Sequence, residues 1–146
     1  MKIETKTITL ETKKQFELID VTQKVNDAVS ASGVQNGIAV VFNPHTTAAL
    51  RLNHNEPLLL QDIMKTLFRL VPVDVSYSHD LFELRENPEL NERSNGHAHV
   101  KAFLLGSSET LIIQEGKLLI GDKQSLFFVE FDGGRPRDFQ LKIIGD

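Results

Sequence analysis

Five histidines and no cysteine set the limits of the chemistry open to this chain. Disulfides and thiolate metal centres are excluded, so a metal must be held by His, Asp, Glu or carbonyl oxygen. The candidate groups fall in four stretches. "NPHTTAALRLNHNE" opens with His45, Thr46 and Thr47 and closes with Asn53, Asn55 and Glu56. "YSHDLFE" carries His79 and Asp80. "NGHAHVKAFLLG" places His97 and His99 two positions apart, and "EFDGGRPRD" brings Glu130, Asp132, Gly133, Gly134, Arg135 and Arg137 together. Three imidazoles around an open fourth position suit zinc or a similar divalent ion. Arginines beside paired glycines offer guanidinium forks and backbone N–H groups to a phosphate. Asn53 and Asn55 can orient a ligand or a ring.

Plainer readings stand beside these. On a strand His97 and His99 share a face and can chelate; on a helix they point about 200° apart and only one faces a given site. A histidine at the start of a core segment is commonly structural. "DGGRPR" reads equally as a turn with exposed arginines, Asp80 as a turn cap, and Glu56 as an acidic group at a helix start.

The elements that must position these groups are read from periodicity. "KIETKTITL" alternates as a strand, "QFELID" is a second, and a turn between them falls at Glu11 to Lys14. Asp20 or Thr22 caps a helix to about Ser32, with Val21, Val25, Ala28 and Val29 as its stripe and Gly33 after its end. "GIAVVF" and "TTAALRLN" are strands. Pro57 starts a helix whose stripe is Leu58, Ile63, Leu67 and Leu70, and Pro72 closes it. From Pro72 to Asn95 the chain is polar and irregular, a length that is often functional. "HAHVKAFLLG" is ambiguous; as a helix it is capped by Asn95 and stopped by Gly106. "ETLIIQ", "KLLIG", "QSLFFVEF" and "FQLKIIG" are strands, with a hairpin turn at Glu115-Gly116. Sustained βαβ alternation is missing, which predicts an α+β fold with a largely antiparallel sheet.

The 146 residues predict a single domain over 1–146. Hydrophobic residues at 40% and charged residues at 25% fit a soluble globular protein, and a net charge of −4 gives no general pull towards nucleic acid or an anionic membrane. The N-terminal stretch lacks the apolar core of a signal peptide, and no run reaches bilayer length. A cytoplasmic protein is expected.

Taken together, the segments resemble the YjbQ family, also called the secondary thiamine-phosphate synthase family, over nearly the whole chain. "HTTAALRLNHNE" is similar to its His-Thr-(Thr/Ser)-Ala-(Ala/Ser)-Leu segment and Asn-x-Asn turn, pointing to His45, Thr46, Asn53 and Asn55. "YSHD" resembles its aromatic-x-His-Asp stretch, pointing to His79 and Asp80. "AHVKAFLLGSS" points to His99, Lys101 and Gly106. "SETLIIQEGKLLIGDKQSL" aligns Ser108, Gly116, Gly121 and Gln124, and "EFDGGRPR" resembles Glu-x-Asp-Gly-Pro-Arg-x-Arg. This chain departs at Lys123, where the family has Trp, and at Gly134, where it has Pro.

The resemblance implies an antiparallel β-sandwich-like core with a few helices, and a homotrimer with pockets near subunit interfaces. It implies weak thiamine-phosphate synthase activity, which joins hydroxymethylpyrimidine diphosphate to thiazole phosphate and expels pyrophosphate. On that reading a divalent metal, zinc for example, sits on His45, His79 and His99. Arg135 and Lys101 stabilise the leaving diphosphate. Asp80 and Glu130 orient rings or bind the pyrimidine amine. Thr46, Asn53, Asn55, Gln124, Gly133 and Arg135 contact a small phosphorylated ligand, and His99 rather than His97 is the working ring. A non-catalytic metal- or phosphate-binding or regulatory module, and a metal-dependent hydrolase of a phosphorylated metabolite, are the alternatives.

Overall fold

The computed structural model describes residues 1–146. Its eight strands form two antiparallel sheets, confirming the α+β expectation. The larger sheet has the order β1-β8-β3-β5-β6 and the smaller β2-β7-β4. The strands are β1 (Lys2–Glu11), β2 (Glu17–Asp20), β3 (Asn36–Phe42), β4 (Ala48–His54), β5 (Ser108–Gln114), β6 (Lys117–Leu119), β7 (Gln124–Glu130) and β8 (Pro136–Gly145). The helices are α1 (Thr22–Ser32), α2 (Pro57–Leu70) and α3 (Gly96–Leu105). No helix is long and apolar enough to cross a membrane.

β1 and β2 follow each other but do not pair. The link between them carries the chain from one sheet to the other: β1 runs antiparallel to β8 from Lys2↔Gly145 to Glu11↔Pro136, while β2 pairs with β7. The main core lies between the sheets. It joins Val41 of β3, Leu50 of β4, Phe128 of β7, Phe139 and Leu141 of β8, and Val25 and Val29 of α1. A second core covers the other face of the small sheet, where Ala49, Phe127, Val129 and Phe131 meet Leu67 of α2 and Ala98 and Ala102 of α3. β7 is therefore buried on both faces. This explains why "LFFV" is continuously apolar rather than alternating.

Local signals place the helices. Glu56 accepts hydrogen bonds from the backbone N–H groups of Leu58 (3.1 Å) and Leu59 (2.7 Å), so it caps α2 ahead of Pro57. Gly33 takes the left-handed conformation (φ 73°) that ends α1. Glu115 and Gly116, both at positive φ, turn β5 into β6. The α2 stripe differs from expectation. Leu58 and Leu70 face solvent, and the packed face is Leu60, Ile63, Met64 and Leu67. Apolar residues run most of the way round this helix, so periodicity alone offers two stripes, and contact with the small sheet selects between them.

Residues 72–95 are largely irregular, with two short 3-10 turns at Ser78–Asp80 and Phe82–Leu84. This segment, the start of α3, the β3–β4 connection and the β7–β8 corner meet at one end of the small sheet.

Candidate functional site

At that meeting point lies a cleft of about 790 Å³. Its walls are His45, Thr46 and Thr47 from the β3–β4 connection, Glu92 and Arg93 from the long loop, Asn95 and His99 around α3, and Arg135 and Arg137 from the β7–β8 corner. Apart from Pro44 and Pro136, every lining side chain is polar. A cavity of about 500 Å³ shares Pro44, His45, Thr46 and His99 with it and adds Phe42, Ala102 and Phe103.

"HAHVKAFLL" is a helix, so the two rings diverge. His97 turns inward, 3% exposed, against the rings of Phe16 and Tyr77. His99 turns towards the cleft and packs edge-on against His79, with ring centroids 4.6 Å apart. Burial, then the neighbouring His79, holds His99 below the usual imidazole range, so it is neutral at neutral pH.

The structure thus brings two of the three expected metal-binding rings together. His45 borders the same cleft, but its Nε2 lies 3.2 Å from Asp138 Oδ1. No group of three or more His, Asp or Glu side chains is arranged to hold a metal ion. As placed, His45, His79 and His99 do not compose a three-imidazole centre.

Asp80 accepts a hydrogen bond from the Gly96 N–H at 3.0 Å and so caps α3. Gly96 allows the close approach this requires, because a Cβ there would lie 2.6 Å from Tyr77 Cβ. Asn95 occupies the cap position but does not cap; its Nδ2 donates to Asp132 Oδ2 at 2.9 Å.

Lys101 faces the protein interior with His97. Its side chain is 0% exposed, its Nζ is 3.2 Å from His97 Nδ1, and it lies over the rings of Phe68 and Phe16. Burial pushes its amine down to about 8. Burial, then Lys101, also lowers the pKa of His97. From this position Lys101 cannot touch a ligand in the cleft, contrary to the role expected for it.

Glu130 is likewise withdrawn. It is fully buried and bidentate with Arg137, at 2.7 Å to Nε and 2.6 Å to Nη2. Thr12 Oγ1 and the Asp132 N–H donate to the same carboxylate, and Arg137 Nη2 also donates to Thr47 Oγ1. Burial alone would raise its pKa, but Arg137, the Asp132 amide and Thr12 hold it below the usual carboxylate value. Glu130 braces the cleft wall and is not free to bind an amine.

Gly133 does not offer a free amide, since its N–H donates to the Gln15 carbonyl. A Cβ on Gly133 would meet Lys14 O at 2.1 Å, and one on Gly134 would meet Thr12 O at 2.5 Å. The glycines are required by close packing against the β1–β2 link.

Arg135 keeps its expected place. It lines the cleft, and its Nη2 donates to Asp132 Oδ2 at 2.9 Å. Arg93, not foreseen, donates to the Asp132 carbonyl at 2.8 Å and lies 3.4 Å from its carboxylate. Two guanidiniums thus converge on one carboxylate. Arg85 takes Glu92 (2.6 Å), which leaves the exposed Glu89 as the lining carboxylate with no arginine partner. Three buried polar atoms around this cleft lack a hydrogen-bond partner: Arg135 Nε, Asn95 Oδ1 and His79 Nε2. Such orphans are rare in folded proteins.

Asn53, Asn55 and Gln124 lie elsewhere. Asn53 is five residues along β4 from Ala48, about 17 Å at strand spacing. Gln124 pairs with His54 at that far end, and Asn55 donates to Asp20. Within one chain they do not join the cleft.

Comparison with known proteins follows this geometry. The family model described as "UPF0047 protein YjbQ-like" matches residues 6–146. A UPF0047 protein of Methanocaldococcus jannaschii is 41% identical over 138 residues, covering 94% of this chain and 91% of the relative. UPF0047 protein YugU of Bacillus subtilis is 31% identical over 141 residues, covering 96% and 98%. The crystal structure of a YbjQ-like protein of unknown function from Sulfolobus solfataricus P2 superposes with a TM-score of 0.89 at 35% identity, covering 99% of each chain.

Proposed function

Because this chain belongs to the YjbQ-like UPF0047 family, we propose that its polar cleft binds a small phosphorylated molecule and supports weak condensation of the thiamine-phosphate synthase type. Arg135 carries the reading. It is anchored on Asp132 through Nη2, yet its side chain lines the cleft and stays one-third exposed, so part of the guanidinium is left open to a ligand. A guanidinium held in place with a donor to spare is preorganised for an oxyanion.

In the condensation, the bond from the pyrimidine methylene to the diphosphate breaks, a bond to the thiazole nitrogen forms, and pyrophosphate leaves. The chain must stabilise charge on the departing diphosphate, and Arg135 and Arg93 are placed to do so. Neutral His99, edge-on against His79, could exchange a proton with the leaving group or with a water. No step runs through a metal, since the rings do not form its site.

Calorimetric titration of the full chain with inorganic pyrophosphate tests the binding. Arg135→Ala should weaken it by about tenfold or more, the loss expected for hydrogen bonds to a charged group. Arg51→Ala, on the exposed side of β4, should not change it. Equal affinity for wild type and Arg135→Ala refutes the assignment. Incubation with the two thiamine precursors at high protein concentration then separates enzyme from binding module: pyrophosphate binding without product favours the module.

The homotrimer belongs to the same proposal. Phe103, 88% exposed, and Phe42 stand beside the cleft and gain cover from another copy. Light scattering should give three times 16.4 kDa.

A further inference from the structure

We infer that His45 accepts a proton from the bound ligand and that Asp138, on β8, fixes the ring tautomer that lets it do so. The inference rests on the cleft being a ligand site and adds a positioning residue to it.

His45 Nε2 has two neighbours, Asp138 Oδ1 at 3.2 Å and the Asp138 backbone N–H at 3.3 Å. They make opposite demands. The carboxylate needs a proton on Nε2, whereas the amide needs a lone pair there. The charged acceptor forms the stronger hydrogen bond, so the proton sits on Nε2 and the lone pair on Nδ1. Nδ1 makes no hydrogen bond within the protein and is not among its buried unpartnered atoms.

The ring stands where such a lone pair is useful. His45 borders the 790 Å³ cleft, the 500 Å³ cavity and a third hollow of about 430 Å³, whereas Asp138 borders only the third. The Nε2 edge is therefore turned towards Asp138, while the ring walls the two spaces shared with His99. Its backbone is fixed too. Asn43, 1% exposed, accepts from the His45 N–H at 2.9 Å and donates to the His45 and Ala48 carbonyls.

An imidazole with one nitrogen on a carboxylate and the other unpartnered within the protein, in a ring that borders a cleft, is arranged as a general base. The ligand is then one with an O–H or N–H at its reacting or recognition edge. That bond breaks, Nδ1–H forms, and Asp138 stabilises the imidazolium.

Nitrogen-15 spectra of the labelled full chain at about pH 8.5, where imidazoles are neutral, test this directly. Wild type should show His45 protonated on Nε2. In Asp138→Ala only the backbone N–H remains, so the proton should move to Nδ1, with His79 and His99 unchanged. Carbethoxylation mapped by mass spectrometry supplies a second readout. His45 should react at least about fivefold more slowly in Asp138→Ala than in wild type, because its lone pair then points at the backbone, while His54 reacts equally in both. A wild-type ring already protonated on Nδ1, or a tautomer and reactivity indifferent to Asp138→Ala, overturns the inference. Neither readout depends on pyrophosphate binding, so failure here is distinct from failure of the cleft assignment.

Discussion

Replacing Arg137 by methionine should do more damage than any other single change to the cleft wall. The guanidinium makes two short hydrogen bonds to Glu130 and one to Thr47, and both partners of the ion pair are buried, with side chains 3% and 0% exposed. Met fills similar volume, so the loss is electrostatic rather than a cavity. It strands a carboxylate in the protein with only Thr12 and the Asp132 amide to hold it. Breaking a buried pair on one side costs about 3–5 kcal/mol, which for a chain of this size lowers Tm by roughly 6–20 °C. Guanidinium unfolding followed by circular dichroism measures the loss.

The pH dependence gives a sharper check. In wild type Glu130 has a folded pKa below the ordinary glutamate value. Its contribution is therefore complete above that value and disappears as pH falls through the lower folded one. Without Arg137, burial dominates and the folded pKa rises above the unfolded one. Lowering the pH through that raised value should then stabilise Arg137→Met relative to neutral pH. A loss below about 1 kcal/mol, or a variant with the wild-type acid profile, would show that the pair is not the brace described.

Two further outcomes follow from the buried groups around α3. The Lys101 amine is pushed down to about 8 from 10.5, so the folded state binds fewer protons than the unfolded one between those values and wild-type stability should rise across that range. Lys101→Met should flatten this slope in thermal melts and stabilise the protein at pH 7 by about 1–3 kcal/mol; an unchanged slope rules out the buried amine as its source. Gly96→Ala should destabilise by about 1–3 kcal/mol and release the Tyr77–Asp80 turn, seen as faster amide exchange at Gly96; unaltered exchange contradicts the tight approach of Tyr77.

The elements were legible where local chemistry decides them. Glu56-Pro57, Gly33 and Glu115-Gly116 each act through their own backbone, and each ends or turns an element where expected. What depends on partners far along the chain was not legible. The pairing of β1 with β8 spans the whole chain, and the α2 face is chosen by the small sheet.

The site divides in the same way. The resemblance and the helical reading of "HAHVK" together select His99 over His97, and the rotation of the helix then carries Lys101 inward with His97. Asn95 reads as a cap because Asn favours that position, yet Asp80, far earlier in the chain, supplies the cap and frees Asn95 for Asp132. Arg93 and Asp138 had no local signal: one is an arginine in a polar loop, the other an acid in an alternating strand.

β8 lies between β1 and β3, so an interior strand of the larger sheet is synthesised after both of its neighbours. Until it arrives, β1 has no neighbour in that sheet and β3 has only β5. A growing chain must therefore keep two open strand edges apart through most of its translation. The arginines of the β7–β8 corner acquire their final positions only in the same late step, so the cleft they line cannot be complete before the sheet is.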